Sequence, residues 1–235
     1  MQTFTWAFLG GILPALLWLW FWLKEDARHP EPKKLIFAAF VAGMFAVPPA
    51  LFLEGIAKDI FQSGFYLLLA WAAIEEILKY LGAHIVAFRG VCLDKSRCVD
   101  EPIDPAIYMI TAALGFAALE NTLFLLAPIG QGSFTAGLIT GNLRFVGAMV
   151  LHVVASSAIG LAMGLSFYRS ATFKRIFFVI GLFTSIALHT LFNVSIILSE
   201  GNNIFIVFGG LWIAVLIVLA VFERTKRVNK LGVRL

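Results

Sequence analysis

Ionisable and amide side chains recur inside four consecutive apolar segments of this chain. Charged groups at membrane depth are costly, so they usually face the interior of a helix bundle and mark a functional site. Because four neighbouring segments each contribute such groups, we expect one shared site. These residues are Glu75, Glu76 and Lys79 in the first segment, Glu120 and Asn121 in the second, Arg144 and His152 in the third, and His189 and Asn193 in the fourth.

The spacing of these residues favours a common site. Glu75 and Lys79 are four residues apart, as are His189 and Asn193, so each pair shares one face of a helix. At a rise of about 1.5 Å per residue, the acidic and histidine side chains fall between the midplane and the outer leaflet of the bilayer. Arg144 is closer to a helix end, where we expect it to act as an anchor.

Two histidines and up to three carboxylates are enough to hold a divalent metal ion with nitrogen and oxygen ligands. A catalytic zinc site uses three protein ligands and leaves a fourth position for water. We predict that Glu120, His152 and His189 are the metal ligands and that the metal is zinc.

The remaining polar groups suit the other tasks of a hydrolase. A glutamate near a metal-bound water can serve as general base, and we assign this task to Glu75, with Glu76 in support. An amide one helical turn from a ligand can donate a hydrogen bond to a tetrahedral oxyanion, and we assign this task to Asn193. These parts together predict a hydrolase that cleaves peptide bonds within the membrane.

The elements that would position these residues follow from composition. The chain of 235 residues is 60% hydrophobic and only 14% charged, with a mean hydropathy of +0.92. A soluble domain needs more charge on its surface. Seven apolar runs are long enough to cross a membrane as helices, which predicts an all-α polytopic transmembrane bundle. The runs are Phe4–Leu23, Leu35–Leu53, Gln62–Phe88, Pro105–Ala127, Asn142–Tyr168, Ile176–Ser199 and Ile204–Phe222.

The basic residues predict the orientation of the bundle. Fifteen of the eighteen lysines and arginines fall in connections on one side of the seven runs or follow the last run, and only Lys58 lies on the other side. The positive-inside bias therefore predicts an outside N-terminus and a cytoplasmic C-terminus. The net charge of +4 reflects this topology and contact with the lipid bilayer, and we expect no nucleic-acid partner.

We predict a single membrane-embedded domain over residues 1–235, with the chemistry in a core of about residues 62–199. Cys92 and Cys98 lie in a predicted cytoplasmic loop, where we expect reduced thiols.

Four short motifs resemble those of PrsW-type intramembrane proteases, bacterial relatives of the CAAX prenyl proteases in the wider ABI superfamily. The resemblance covers roughly residues 70–195, and the order and spacing of the motifs are more specific than any one of them. The motifs are EEILK from Glu75, GFAALEN from Gly115, the histidine of LHVVASSAIG from Leu151, and HTLFN from His189.

This resemblance implies a buried site in a polytopic fold of the bacterial cell membrane, and a membrane-anchored protein substrate such as an anti-sigma factor. It implies that Glu75 or Glu76 activates water, that Glu120 stands where the prenyl proteases have a histidine, and that His189 and Asn193 form the last motif. Some relatives have aspartate in place of Asn193, which favours an oxyanion role over metal ligation here.

Two other functions are compatible with the same residues. Buried carboxylates and histidines also form ion pathways in metal- or proton-coupled transporters, but transporters usually contain two related halves, and we find no internal repeat. A catalytically inactive membrane scaffold is the third possibility, and the number of intact motif residues argues against it.

Overall fold

The computed structural model describes residues 2–26, 29–89, 99–133, 143–199 and 203–229. Within this part the chain forms seven helices and no strand, and two of the helices include a short π-helical stretch. The helices are α1 Gln2–Glu25, α2 Lys33–Phe61, α3 Phe65–Ala83 with the π-helical extension His84–Phe88, α4 Asp104–Gly130, α5 Arg144–Leu165 with a π-helical first turn, α6 Ala171–Ser199 and α7 Ile204–Lys226.

Six of these helices are long and apolar enough to cross a membrane. The seventh, α3, has 19 residues and carries the charged residues Glu75, Glu76 and Lys79. The predicted all-α bundle of about seven helices is confirmed, and the chain is a multi-pass membrane protein. The loop that contains Cys92 and Cys98 lies outside the described residues, as does Asn142, where the fifth helix was predicted to begin.

Helix α2 is longer than the apolar pattern predicted. It continues past Leu53 through Glu54 to Phe61, because polar residues beyond the hydrocarbon core are compatible with a helix as long as its backbone is satisfied. The chain turns instead at Gln62 and Gly64, which have φ values of 57° and 90°. This left-handed backbone is the form that glycine favours, and it reverses the chain into α3.

Helix α4 lies at the centre of the bundle and packs against α1, α2 and α5. Its residues from Asp104 to Ala118 are all buried. Small residues allow helix backbones to approach closely in membranes: a Cβ atom at Gly160 of α5 would lie 2.5 Å from the carbonyl oxygen of Pro105. The Gly160 contact fixes α5 against α4, and so fixes the relative heights of the polar residues on these two helices.

Candidate active site

One face of α3 carries the acidic residues toward the bundle interior. Glu76 and Lys79 have no exposed surface, and Glu75 is 8% exposed. The Lys79 ammonium lies 3.0 Å from Glu75 Oε2 and 2.7 Å from Glu76 Oε1, and 4.4 Å from the ring centre of Phe116 on α4. The i,i+3 and i,i+4 spacing on one helix therefore places two carboxylates on a single buried cation.

The Glu76 carboxylate is saturated with hydrogen bonds. Its Oε1 atom contacts Lys79 and lies 2.8 Å from His189 Nδ1. Its Oε2 atom accepts hydrogen bonds from the hydroxyls of Ser156 at 2.6 Å and Ser185 at 2.9 Å. Glu76 therefore joins α3 to α5 and α6, and both of its carboxylate oxygens are occupied by hydrogen bonds within the protein.

The Glu75 carboxylate has fewer hydrogen-bond partners than the Glu76 carboxylate among the described residues. Its Oε2 atom contacts Lys79 and lies 3.7 Å from His152 Nδ1 and 3.9 Å from His189 Nε2. Within the described part of the chain, its Oε1 atom has no hydrogen-bond partner. The side chain keeps 10% exposure, so Glu75 is the carboxylate that can receive a proton from an incoming water molecule.

Helix α5 places His152 between two sets of partners. Its Nε2 atom lies 3.0 Å from Glu120 Oε2 on α4, and its Nδ1 atom lies 2.7 Å from the Lys79 ammonium. A neutral His152 that donates from Nε2 to Glu120 leaves Nδ1 as the acceptor toward Lys79. A carboxylate on one ring nitrogen is the usual way in which proteins fix the tautomer and orientation of a functional histidine.

Arg144 completes this arrangement from the first turn of α5. It donates to Glu120 Oε2 at 2.8 Å and to Asn121 Oδ1, and its guanidinium stacks on Phe124 at 3.8 Å. The π-helical first turn of α5, Arg144–Ala148, is a local form frequent at functional sites. Arg144 is thus at a helix end, as expected, and is also the ion-pair partner of Glu120.

Four of these side chains could hold a metal ion. One donor atom from each of Glu75, Glu76, His152 and His189 lies within 4.8 Å of the other three, and this mixed nitrogen and oxygen set suits zinc and related divalent ions. A cation there would face oxygens that now contact the Lys79 ammonium, so the two compete. Among the described residues no other such group occurs.

The charge balance of the cluster also fits a cation. Glu75, Glu76 and Glu120 carry three formal negative charges, whereas Lys79 and Arg144 carry two positive ones. Glu54 on α2 is a further acidic residue that interacts with Glu75 and Glu120, and it is not counted in this balance. Buried charge is stable only when it is compensated, so the site is suited to an additional positive charge.

The structure brings most of the predicted site residues together. Glu75, Glu76, His152 and His189 converge as expected. Glu120 lies outside the four-residue group and faces Arg144 and His152, so its role as a metal ligand stays a prediction. Asn193, one turn from His189, is half-buried, and its side chain has no hydrogen-bond partner among the described residues.

Sequence reasoning missed two contributors. Ser185, four residues before His189, binds Glu76, and this spacing was a usable signal. Glu54 was missed because the second helix was predicted to end one residue earlier. Its backbone carbonyl accepts a hydrogen bond from Trp71 Nε1 at 3.1 Å, which joins α2 to α3 close to the site.

Comparison with known proteins gives a consistent picture. Residues 31–222 match a family model described as PrsW family intramembrane metalloprotease. No solved structure matches the chain.

Several curated relatives carry the name Protease PrsW. The protein of Geobacillus kaustophilus is 25% identical over 180 residues, which cover 74% of this chain and 76% of that protein. The protein of Bacillus subtilis is 29% identical over 158 residues, which cover 66% of this chain and 64% of that protein, slightly less than two thirds of its length. The protein of Halalkalibacterium halodurans is 23% identical over 206 residues, 84% of this chain and 86% of that protein.

Proposed function

Because this chain belongs to the PrsW family of intramembrane metalloproteases, and is therefore a peptidase of the bacterial membrane rather than a transporter, we propose that it hydrolyses a peptide bond of a membrane-anchored protein at the buried Glu/His cluster. The observation that carries this proposal is the convergence of Glu75, Glu76, His152 and His189 from three different helices.

Glu75 is the general base in this proposal. Peptide hydrolysis needs a group that takes a proton from the attacking water and returns it to the leaving amine. Glu75 suits this task because Oε1 has no partner in the described part of the chain, whereas Glu76 is held by Lys79, His189, Ser156 and Ser185. Glu76 positions the helices, and Asn193 donates to the oxyanion from the same face of α6 as His189.

A metal ion fits the donor set, and we propose zinc. His152 and His189 would supply nitrogen ligands to such an ion, which leaves Glu75 free to act as the general base. Bound zinc lowers the pKa of its water and polarises a carbonyl group. Glu120, held by Arg144, then orients His152 through its Nε2 atom, as hydrogen-bond partners of metal-ligating histidines usually do.

The substrate is a protein that reaches the site through the lipid bilayer, and an anti-sigma factor is the class that the family resemblance favours. Glu75 lies about 15 Å from the N-terminal end of α3, which the positive-inside rule places at the outer surface. The side chains of Glu120 and Arg144, which are 18% and 17% exposed, lie toward the same end. The scissile bond is therefore expected in the outer half of the membrane.

A comparison of protein termini in living cells tests the proposal. Bacteria that express the wild-type chain, Glu75→Gln or Glu223→Gln would be analysed for new N-termini of membrane proteins by mass spectrometry. Glu223 is a matched control, because its side chain is half exposed at the end of α7 and, among the described residues, pairs with Lys226 alone.

The proposal predicts new termini within or beside single transmembrane segments in cells with the wild-type and Glu223→Gln chains, and none of these in cells with Glu75→Gln. The same set of termini in all three strains, with equal amounts of each chain in the membrane, would refute it. Cleavage sites on the cytoplasmic side of the substrate would refute only the proposed depth.

A further inference from the structure

A cavity of about 910 Å³ lies at the inner ends of α3, α5 and α6, away from the Glu/His cluster. Its walls include Arg169 in the connection between α5 and α6, and Lys174 and Arg175 near the start of α6. These three basic residues are exposed, and they follow α5 at the end that the positive-inside rule assigns to the cytoplasm. The cavity therefore opens at the level of the lipid headgroups.

The charge of this cavity differs from that of its neighbour on the same face. Among the described residues, no carboxylate lines it. The neighbouring cavity of about 700 Å³, at the inner ends of α1 and α7, is lined by Glu25, Asp26, Glu101 and Glu223 as well as by basic residues. Among the described residues, the α5–α6 cavity is therefore lined by basic residues without acidic ones. The general excess of basic residues on this side does not explain the difference, because the neighbouring cavity carries both charges.

The inner wall of the cavity is apolar and aromatic. It includes Met163 and Phe178, and the ring of Tyr80, whose centre lies 4.6 Å from that of Phe178. Tyr80 is eight residues from the end of the π-helical extension of α3, so the cavity reaches about 12 Å into the hydrocarbon region. An occupant that matches both parts has an anionic head at the surface and a hydrocarbon chain below it.

We propose that this cavity binds one anionic phospholipid of the cytoplasmic leaflet. Its phosphate contacts Arg169, Lys174 and Arg175, and one acyl chain lies along Tyr80 and Phe178. Basic pockets between transmembrane helices on the cytoplasmic side are a known setting for anionic headgroups, and the continuous aromatic wall favours a lipid over free phosphate. This inference is independent of the proposed peptidase site.

Native mass spectrometry on protein extracted from mixed vesicles of phosphatidylglycerol and phosphatidylethanolamine tests the proposal. The variant Arg169→Gln/Lys174→Gln/Arg175→Gln removes the basic rim. The control Lys33→Gln/Lys34→Gln/Arg224→Gln removes three exposed basic residues from the same face but away from the cavity. We expect the wild type and the control to retain phosphatidylglycerol preferentially, and the rim variant to retain it about tenfold less or lower still.

Equal retention of both lipids by the wild type would overturn the proposal, because it would show no preference for an anionic headgroup. Equal loss in both triple variants would also overturn it, because it would show only general surface attraction. Photo-crosslinking adds a test that does not depend on variants. A phosphatidylglycerol with a photoreactive acyl chain is expected to label α3 or α6 near Tyr80 or Phe178. Labelling spread over all helices would contradict a lipid site. Complete removal of the labelling by about 50 mM glycerol phosphate would also contradict it.

Discussion

Glu75 and Glu76 are adjacent in the chain, yet their carboxylates have opposite surroundings. Glu76 accepts contacts from Lys79, His189, Ser156 and Ser185, whereas Glu75 has Lys79 as its one hydrogen-bond partner among the described residues. Two consecutive residues of α3 therefore differ in their surroundings: the Glu76 carboxylate links three helices, whereas the Glu75 carboxylate keeps one oxygen without a hydrogen-bond partner among the described residues.

This difference predicts opposite effects on stability and on catalysis. Glu76→Gln leaves part of the buried Lys79 charge and two serine hydroxyls without their partner, so we expect a loss on the order of 3 kcal/mol in the free energy of unfolding. Glu75→Gln is expected to cost less than about 1 kcal/mol, since Lys79 keeps Glu76. Thermal unfolding in one detergent would measure both, and equal losses would contradict the assignment.

Metal content distinguishes ligands from the residues that orient them. The purified wild type is expected to bind about one zinc ion per chain, and His152→Ala and His189→Ala are expected to bind none. Glu120→Gln should retain a full zinc ion at saturation, with an affinity lowered by about 10-fold to 100-fold. Zinc titration followed by elemental mass spectrometry measures this. Loss of zinc from Glu120→Gln at every concentration would instead make Glu120 a direct ligand.

Arg144 is expected to act through Glu120 and His152, without contact to the reacting atoms. Arg144→Ala should lower kcat by about 10-fold to 100-fold with little change in KM, and Arg144→Lys should recover part of the loss, because it restores the charge but not both hydrogen bonds. Arg224→Ala, at the exposed end of α7, is the matched control. A change in KM alone would indicate that Arg144 binds substrate.

Buried carboxyl groups near the end of α1 and the start of α2 predict a dependence of stability on pH. Burial, aided by the charges of Asp104 and Glu101, raises the pKa of Asp26 from 3.8 to about 7. The folded chain thus binds a proton that the unfolded chain releases between these values, so the free energy of unfolding falls as the pH rises from about 4 to about 7.

Burial likewise raises the pKa of Glu31 to about 9, which extends the loss of stability to higher pH. Asp26→Asn should therefore flatten the decline in thermal stability below pH 7, while the exposed substitution Asp59→Asn should leave it unchanged. A steeper decline in Asp26→Asn would show that the buried carboxyl is held in its charged form.

Most of the fold was predictable because apolar runs of membrane length can be recognised directly in the amino-acid sequence. The end of α2 was not, since Glu54, Lys58 and Asp59 are as compatible with a helix as with a loop. The turn at Gln62 and Gly64 depends on backbone angles that the hydrophobic pattern does not encode.

The acidic and histidine residues of the site were predictable because the membrane makes each of them costly without a partner. Their pairing was not. Whether Glu120 faces a metal or Arg144 depends on the relative heights of α4 and α5, which close backbone contacts such as that at Gly160 determine. The spacing of Ser185 from His189 places both on one face of α6, but the hydrogen bond from Ser185 to Glu76 could be identified only in the packed structure.

The rate of cleavage in a defined system shows whether Glu75 activates the water that attacks the peptide bond. A membrane-anchored substrate identified from the new termini would be reconstituted in proteoliposomes with excess wild-type, Glu75→Gln or Glu223→Gln chain, and single-turnover cleavage would be followed. We predict that Glu75→Gln lowers the rate by about 100-fold or more, while its unfolding temperature and zinc content stay close to those of the wild type and Glu223→Gln cleaves normally. Cleavage by Glu75→Gln at the wild-type rate would show that Glu75 is not the general base.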